Sequence, residues 1–377
     1  MSESKIKLVQ IIADSALGGG PKHVLGILKN IDQSKFEPFL LCPPGYLKTE
    51  AKRIAGVQVL EFDPRSKFDL VAVYLLKRTL EQSQACGDPF APMIIHSHGP
   101  RAGLMSRTVA PYKAKTVYTE HRYDADYHLK NLITEYFQKK IIGLQNRKSD
   151  LVIAVSSSVE KFLLRENMAL RQNLVVIPNA IDIKDLAKTA PKQIKVANKV
   201  PIIGTIGNLN YNKGQTYLVE AMLILKKKYP LITLEIIGEG PEKNDLNEQI
   251  KLLKLEHHIS LLGQKKDVYK YLRHWDVFVL PSVAETFGIV ILESFEAGVP
   301  VVASRVGGIP DIVTNKKNGL LIPAKAPKEI AKAISELLDH PVLAANLKRG
   351  GKERIKDFDW NVIIKKLESE YLRITSS

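Results

Sequence analysis

A chain of 377 residues, 45% of them hydrophobic, is longer than one core usually supports and carries enough apolar material for two. Its two cysteines, Cys42 and Cys86, exclude a disulfide scaffold, have no metal-ligand spacing around them, and read as reduced residues of a cytoplasmic protein. A net charge of +15 and a pI near 9.5 imply an acidic partner, but the basic residues are spread along the chain without an RNA- or DNA-binding motif, so a nucleotide diphosphate or an anionic lipid surface is expected ahead of nucleic acid.

In chain order, short apolar runs alternate with segments of helical period, the pattern of parallel sheets wrapped by helices. The run Ile6 to Ile12 is too short for a signal peptide, and no stretch approaches the roughly 20 apolar residues that span a bilayer. Strands are predicted over Lys7–Ile12, Phe36–Leu41, Val57–Phe62, Met93–His96, Lys115–Thr119, Leu151–Val155 and Leu174–Ile177. A second set is predicted over Pro201–Ile206, Thr233–Ile237, Ile259–Leu262, Val277–Leu280, Pro300–Ala303 and Gly319–Ile322. The polar stretch Ile183–Lys199 lacks an apolar period and separates the sets as a linker. Two doubly wound domains are expected, over residues 1–185 and 200–357, followed by an amphipathic helix over 358–377.

Several polar clusters sit where strands end. Gly18, Gly19 and Gly20 precede Pro21 and a helix, and glycines at a helix start let an anion approach the free backbone N–H groups. Their spacing is not the dinucleotide fingerprint, and a merely tight turn remains the alternative. His96-Ser97-His98-Gly99-Pro100-Arg101 follows a strand and is expected to end in a loop at a ligand-binding edge. The i, i+2 histidines His96 and His98 are set aside as a zinc site because no further ligand is spaced to complete them. Arg101 is suited to an acidic acceptor group or to a structural ion pair. His121 follows a strand, and Asp124 and Asp126 form a D-x-D that lacks the further oxygens a hard cation wants. Lys213 lies in a polar loop, Asn208 to Gln215. Between Pro281 and Gly308, Glu285 and Glu293 flank a glycine, Gly288, at the start of a helix, a combination suited to a diphosphate and two hydroxyl-bearing groups.

The segment from Pro281 to Gly308 resembles the signature of the retaining family 4 glycosyltransferases of GT-B fold, and the likeness covers nearly the whole chain, strongly over residues 200–320 and more loosely over the first half. The resemblance implies two Rossmann-like domains facing a central cleft, the C-terminal helix crossing back to the first. It implies that Glu285 contacts the transferred sugar, that the N–H groups of Gly288 and Ile289 hold the donor diphosphate, with Thr286 and Phe287 in the same donor-binding loop, and that Glu293 binds the nucleotide ribose. His121 matches the histidine that approaches the sugar, and Gly19 and Gly20 the loop beside the donor phosphate. His23, in a Gly18-Gly19-x-x-x-His23-Val24 pattern, His98 and Arg101 fall on the acceptor side. Lys213 matches the lysine that neutralises the diphosphate, while Asn208 stands where the family has arginine, leaving Lys265, Lys266 or Arg305 to supply that charge.

The expected function is transfer of a sugar from a nucleotide diphosphate sugar to a glycan or lipid-linked acceptor with retention of configuration, without a metal or other cofactor. The helix-prone stretch from Leu129 to Lys148, with Lys130, Lys139, Lys140, Arg147 and Lys148 among apolar residues, reads either as an ordinary solvated helix or as a face for the inner surface of an anionic membrane. A GT-B epimerase or phosphorylase, or a non-catalytic sugar-nucleotide sensor favoured by Asn208, are the other readings.

Overall fold

The computed structural model describes residues 4–16, 18–64, 69–85, 91–111, 113–121, 132–183 and 200–376. The predicted linker from residue 184, the D-x-D of Asp124 and Asp126, and Cys86 lie outside them.

Among the described residues, thirteen strands form two all-parallel sheets, and each expected strand is present with its ends moved by at most two residues. The first sheet is built from β1 (Ile6–Ile12), β2 (Phe36–Cys42), β3 (Gln58–Glu61), β4 (Met93–His98), β5 (Lys115–Glu120), β6 (Leu151–Ala154) and β7 (Leu174–Val176). Its strand order is β3-β2-β1-β4-β5-β6-β7. The second contains β8 (Ile202–Ile206), β9 (Thr233–Ile237), β10 (Ile259–Gly263), β11 (Val277–Leu280), β12 (Val301–Ser304) and β13 (Leu320–Ile322), in the order β10-β9-β8-β11-β12-β13. Helices cover both faces, so central strands such as β1 and β11 are buried along their whole length, and β11 reads as a continuous apolar run while β1 is interrupted by the buried Lys7 and Gln10. Each sheet reverses its winding once, between β1 and β4 and between β8 and β11, and such switch points open the crevice in which doubly wound sheets hold ligands.

The chain divides into two compact units: the described residues up to Ala180 together with those from Trp360 onward, and Ile181–Asp359. The C-terminal helix Trp360–Thr375 belongs to the first unit because its buried stripe, Trp360, Ile363, Ile364, Leu367, Tyr371 and Ile374, shares one core with Ile6, Leu8, Phe36 and Ile94 of the sheet. Its first turn is seated on the helix Gly19–Asn30 at Gly26, where a Cβ would stand 2.1 Å from the Trp360 ring. Gly26→Ala is therefore expected to lower the urea midpoint by an amount equivalent to about 1–3 kcal/mol, because overpacking against the indole outweighs the ~1 kcal/mol that alanine gains over glycine in a helix. An unchanged midpoint would show that Trp360 is not locked there. Cys42 lies in the core, and burial pushes its thiol up to about 11, which makes it an unreactive packing residue.

Candidate functional site

In the first unit, β1 runs out at Ile12 and the helix Gly19–Asn30 begins after Gly18, whose backbone is extended (φ −167°, ψ 177°). No side chain caps the first turn, and a Cβ on Gly18 or Gly19 would meet nothing within 4 Å. The fold itself does not require glycine at either position. The open space and the uncapped N–H groups of this twelve-residue helix leave room for an anionic group to come close. Gly20 is nearly as open, since a Cβ there would stand 3.7 Å from the Ile12 side chain, and Pro21 sits at the third helical residue rather than the first.

His96 and His98 correct the expected loop. Both lie inside β4 and are buried, and the next helix starts directly at Gly99. The strand continues through these polar residues because their rings are hydrogen-bonded within the unit. The Gln10 amide donates to the Tyr371 hydroxyl (3.3 Å), which donates to His96 Nδ1 (2.6 Å), leaving His96 Nε2–H to donate to Thr119 Oγ1 (2.7 Å). His98 Nε2–H donates to Gln10 Oε1 (2.6 Å), so its Nδ1 is the acceptor for His121 Nε2–H at 3.2 Å. The strand register places His98 beside Thr119, and His121 follows just past the end of β5. His23 completes the group from the helix, its ring centroid 5.6 Å from that of His98 and 5.1 Å from that of His121. Burial is the largest cause holding all four imidazoles neutral: it lowers His96 to about 3, His121 to about 4, and His23 and His98 well below the usual value, with the other histidines adding to it for all but His121.

Sequence spacing missed this convergence, and it missed Gln10 and Tyr371, although a lone glutamine within the apolar run Leu8-Val9-Gln10-Ile11-Ile12 was a usable signal. Arg101 stands outside the histidine contacts. It is exposed and its guanidinium reaches the Pro64 carbonyl at 3.5 Å.

In the second unit the loops after β8 and β11 are tied together. The Asn212 carbonyl accepts the N–H groups of Val283 (2.8 Å) and Ala284 (3.2 Å). Gly214 adopts a left-handed conformation (φ 63°, ψ 25°) with a Cβ position 2.2 Å from the Pro281 carbonyl oxygen, so only glycine permits this approach. The clamp brings Lys213 onto Glu285, and the two form a half-buried ion pair. The Glu285 carbonyl accepts the Gly308 N–H at 2.9 Å, which ties in the loop after β12 as well. Gly288 (φ 93°) then opens the helix Ile289–Ala297, whose first turn has no side-chain cap. Lys213, Glu285 and a bare helix N-terminus thus stand together at the switch point between β8 and β11.

Glu293 is 5% exposed on the helix that follows Gly288, and its charge, after burial, helps push the neighbouring Tyr269 hydroxyl upward. Phe287 is buried against Phe358 with ring centroids 5.8 Å apart, which leaves its backbone as the part able to face a ligand. Thr286 is half-buried. Asn208 is exposed, and its carbonyl accepts the Gln215 side-chain amide at 3.1 Å. Of the three residues that would make good the missing arginine, Lys265 lies over the Tyr271 ring (5.9 Å), Lys266 is exposed, and Arg305 is exposed just beyond β12, the strand next to β11.

The family model Glycosyltransferase Family 4 matches residues 17–185 and the model Glycosyl transferases group 1 matches residues 187–354. An uncharacterised glycosyltransferase of Methanocaldococcus jannaschii is 27% identical over 361 residues, 94% of this chain and 94% of that protein. The capsular polysaccharide biosynthesis glycosyltransferase CapM of Staphylococcus aureus is 26% identical over 295 residues, 74% of this chain and 76% of its own. Among solved structures, Anabaena Alr3699/HepE in complex with UDP superposes with a TM-score of 0.80 at 22% identity, covering 97% of this chain and 100% of that one. The chain belongs to the family 4 glycosyltransferases, and its two doubly wound units are those of the GT-B fold.

Proposed function

We propose that this glycosyltransferase moves a hexose-like unit from a nucleotide diphosphate sugar to a glycan or lipid-linked acceptor, with retention of anomeric configuration and without a metal on the diphosphate. The observation that carries the reading is the Lys213–Glu285 pair beside the uncapped helix N-terminus at Gly288. When the sugar–phosphate bond breaks, negative charge develops on the departing diphosphate. An ammonium and two backbone N–H groups held in advance at that place stabilise it without reorganisation. Glu285 then faces the sugar and Glu293 takes the ribose hydroxyls, while His121, neutral and hydrogen-bonded to His98, is a neutral polar group for the transferred sugar. In the proposed chemistry the acceptor hydroxyl attacks from the face that the phosphate leaves, and the leaving phosphate oxygen takes its proton.

The complexes of Anabaena Alr3699/HepE with UDP and with UDP-glucose favour a uridine donor for this chain too. CapM and a Campylobacter jejuni transferase named for a diphospho-undecaprenol acceptor favour a polysaccharide or lipid-linked acceptor. Exposed Tyr136, Phe137 and Leu144 on the helix Leu132–Arg147, beside Lys139 and Lys140, suit a helix lying on an anionic membrane. No described helix is long and apolar enough to cross one.

The reaction is tested by supplying UDP-glucose with a panel of lipid-linked and free glycan acceptors in the presence of chelator and reading the product anomer by proton NMR. An α-linked product is expected. A β-linked product, an altered sugar instead of a glycoside, or turnover that requires added Mg²⁺ would overturn the respective part of the proposal. Sedimentation with anionic liposomes at low salt tests the membrane face, and Phe137→Asp is expected to reduce the bound fraction at least fivefold. Equal sedimentation of the variant, or none by either protein, removes the membrane face from the account.

A further inference from the structure

We propose that His23, His98 and His121, all in the first unit, form a site for Zn²⁺ or an ion of its class. One ring nitrogen from each of the three residues lies within 4.8 Å of the other two. Imidazole nitrogens held at about 2.0–2.1 Å by a tetrahedral ion stand about 3.3 Å apart. The His98 Nδ1 to His121 Nε2 distance of 3.2 Å already has that value. Rings radiating from such an ion have centroids about 5 Å apart. The three centroid distances here are 5.1, 5.5 and 5.6 Å.

Two further observations are independent of this spacing. His23 Nδ1 is buried and has no hydrogen-bond partner, so the ring is uncommitted at that nitrogen, at the cost that an unmet buried polar atom carries. His98 has its far nitrogen bound to Gln10 Oε1 at 2.6 Å, the outer contact that fixes a ligand histidine's tautomer and leaves the other nitrogen bare for a metal. The rings are neutral, as ligation requires. Binding asks the His23 nitrogen to close in from its place within 4.8 Å of the other two, and the proton that His121 Nε2 now shares with His98 to leave that nitrogen. Three imidazoles, with no carboxylate in the cluster among the described residues, select a borderline ion such as Zn²⁺, Ni²⁺ or Cu²⁺ over Mg²⁺ or Ca²⁺. His96 is excluded from the ligand set because both its nitrogens are engaged, by Tyr371 and Thr119. The functional consequence rests on the proposed role of His121: an ion that occupies it competes with the transferred sugar, so Zn²⁺ acts as an inhibitor of transfer rather than as a helper of the leaving group.

Chelator-stripped full-length protein is titrated with Zn²⁺ against a chromophoric chelator, and separately with Co²⁺ to read the visible absorption of a tetrahedral site. One equivalent is expected, with intense Co²⁺ bands. His23→Gln and Gln10→Leu should each weaken Zn²⁺ binding at least tenfold with unchanged circular dichroism, and His257→Gln, at an exposed histidine elsewhere, should not. Absence of a tetrahedral Co²⁺ spectrum in the wild type, or equal Zn²⁺ affinity in wild type and His23→Gln, overturns the site. The wild-type spectrum decides the matter even if a variant misfolds. Stabilisation by UDP, measured on the same stripped protein, reports the donor reading separately: zinc binding without a UDP effect contradicts that reading and not the metal site, and the reverse result contradicts the metal site alone.

Discussion

Lys213→Met is expected to lower kcat/KM for transfer by about 10²–10³, with kcat falling by nearly as much and with the melting temperature held within two or three degrees. The ammonium is asked to stabilise charge that appears only as the diphosphate departs, and removing one preorganised electrostatic group of this kind typically costs about 3–4 kcal/mol of transition-state stabilisation. Methionine keeps the length and the apolar stem, so the Asn212 clamp and the Gly214 turn that build the loop are left in place. Glu285 loses its partner, but it is at the edge of the site and about a tenth exposed, which limits the cost to stability. Lys213→Arg is not expected to restore full activity, because a planar guanidinium cannot reproduce a compact point charge packed against one carboxylate. Steady-state kinetics over a range of donor concentrations makes the comparison. Arg305→Ala is expected to cost about tenfold if the exposed guanidinium supplies the charge that Asn208 lacks. An effect of Lys213→Met below tenfold would mean that the diphosphate is neutralised elsewhere.

Acid should destabilise the first unit well before its carboxylates protonate. A histidine whose pKa is depressed by folding binds fewer protons folded than unfolded, so stability is fully present above the unfolded value of about 6.5 and is lost as pH falls toward the folded value. For His121 that window runs from about 6.5 to about 4, and for His96 to about 3. Each such group contributes up to about 1.4 kcal/mol per pH unit inside its window. Urea unfolding of metal-free protein at pH 7, 6, 5 and 4.5 is therefore expected to show a steep fall in stability below pH 6.5. His96→Asn, whose amide can still meet Thr119 or Tyr371, should flatten the slope by about one proton. Parallel slopes for the two proteins would show that His96 is not buried in its neutral form.

The strands were legible because a parallel sheet covered on both faces must be written as unbroken apolar runs, as in Leu151–Ala154 and Val277–Leu280. The loops proposed for the donor carry a short-range pattern in the sequence. Lys213, Glu285, Gly288 and Glu293 fall within two loops and one helix, and the fold has only to join them through Asn212. The histidine cluster was not legible in the same way. His23, His98 and His121 come from a helix, a strand end and a loop, and their convergence depends on the pairing of β4 with β5 and on the seating of the helix Gly19–Asn30. Their support is more distant still, since Gln10 and Tyr371 are 361 residues apart in sequence. The i, i+2 pair of His96 and His98 is set aside as a metal site in the sequence for want of a further ligand at a suitable spacing, and the fold commits His96 to hydrogen bonds while bringing His23 and His121 to His98 from elsewhere.

The central claim is that the second unit holds a nucleotide diphosphate sugar through Lys213, the helix start at Gly288 and Glu293. It is tested most directly by melting temperatures of wild type and Glu293→Ala with UDP, GDP, ADP and their sugar conjugates, in chelator throughout. A ligand bound by the folded state alone stabilises it by about 2.7 kcal/mol at a hundredfold excess over Kd. The account predicts that one nucleotide, UDP first among them, raises the wild-type melting temperature and that Glu293→Ala loses most of that rise. No rise with any nucleotide, or an equal rise in the variant, would contradict it.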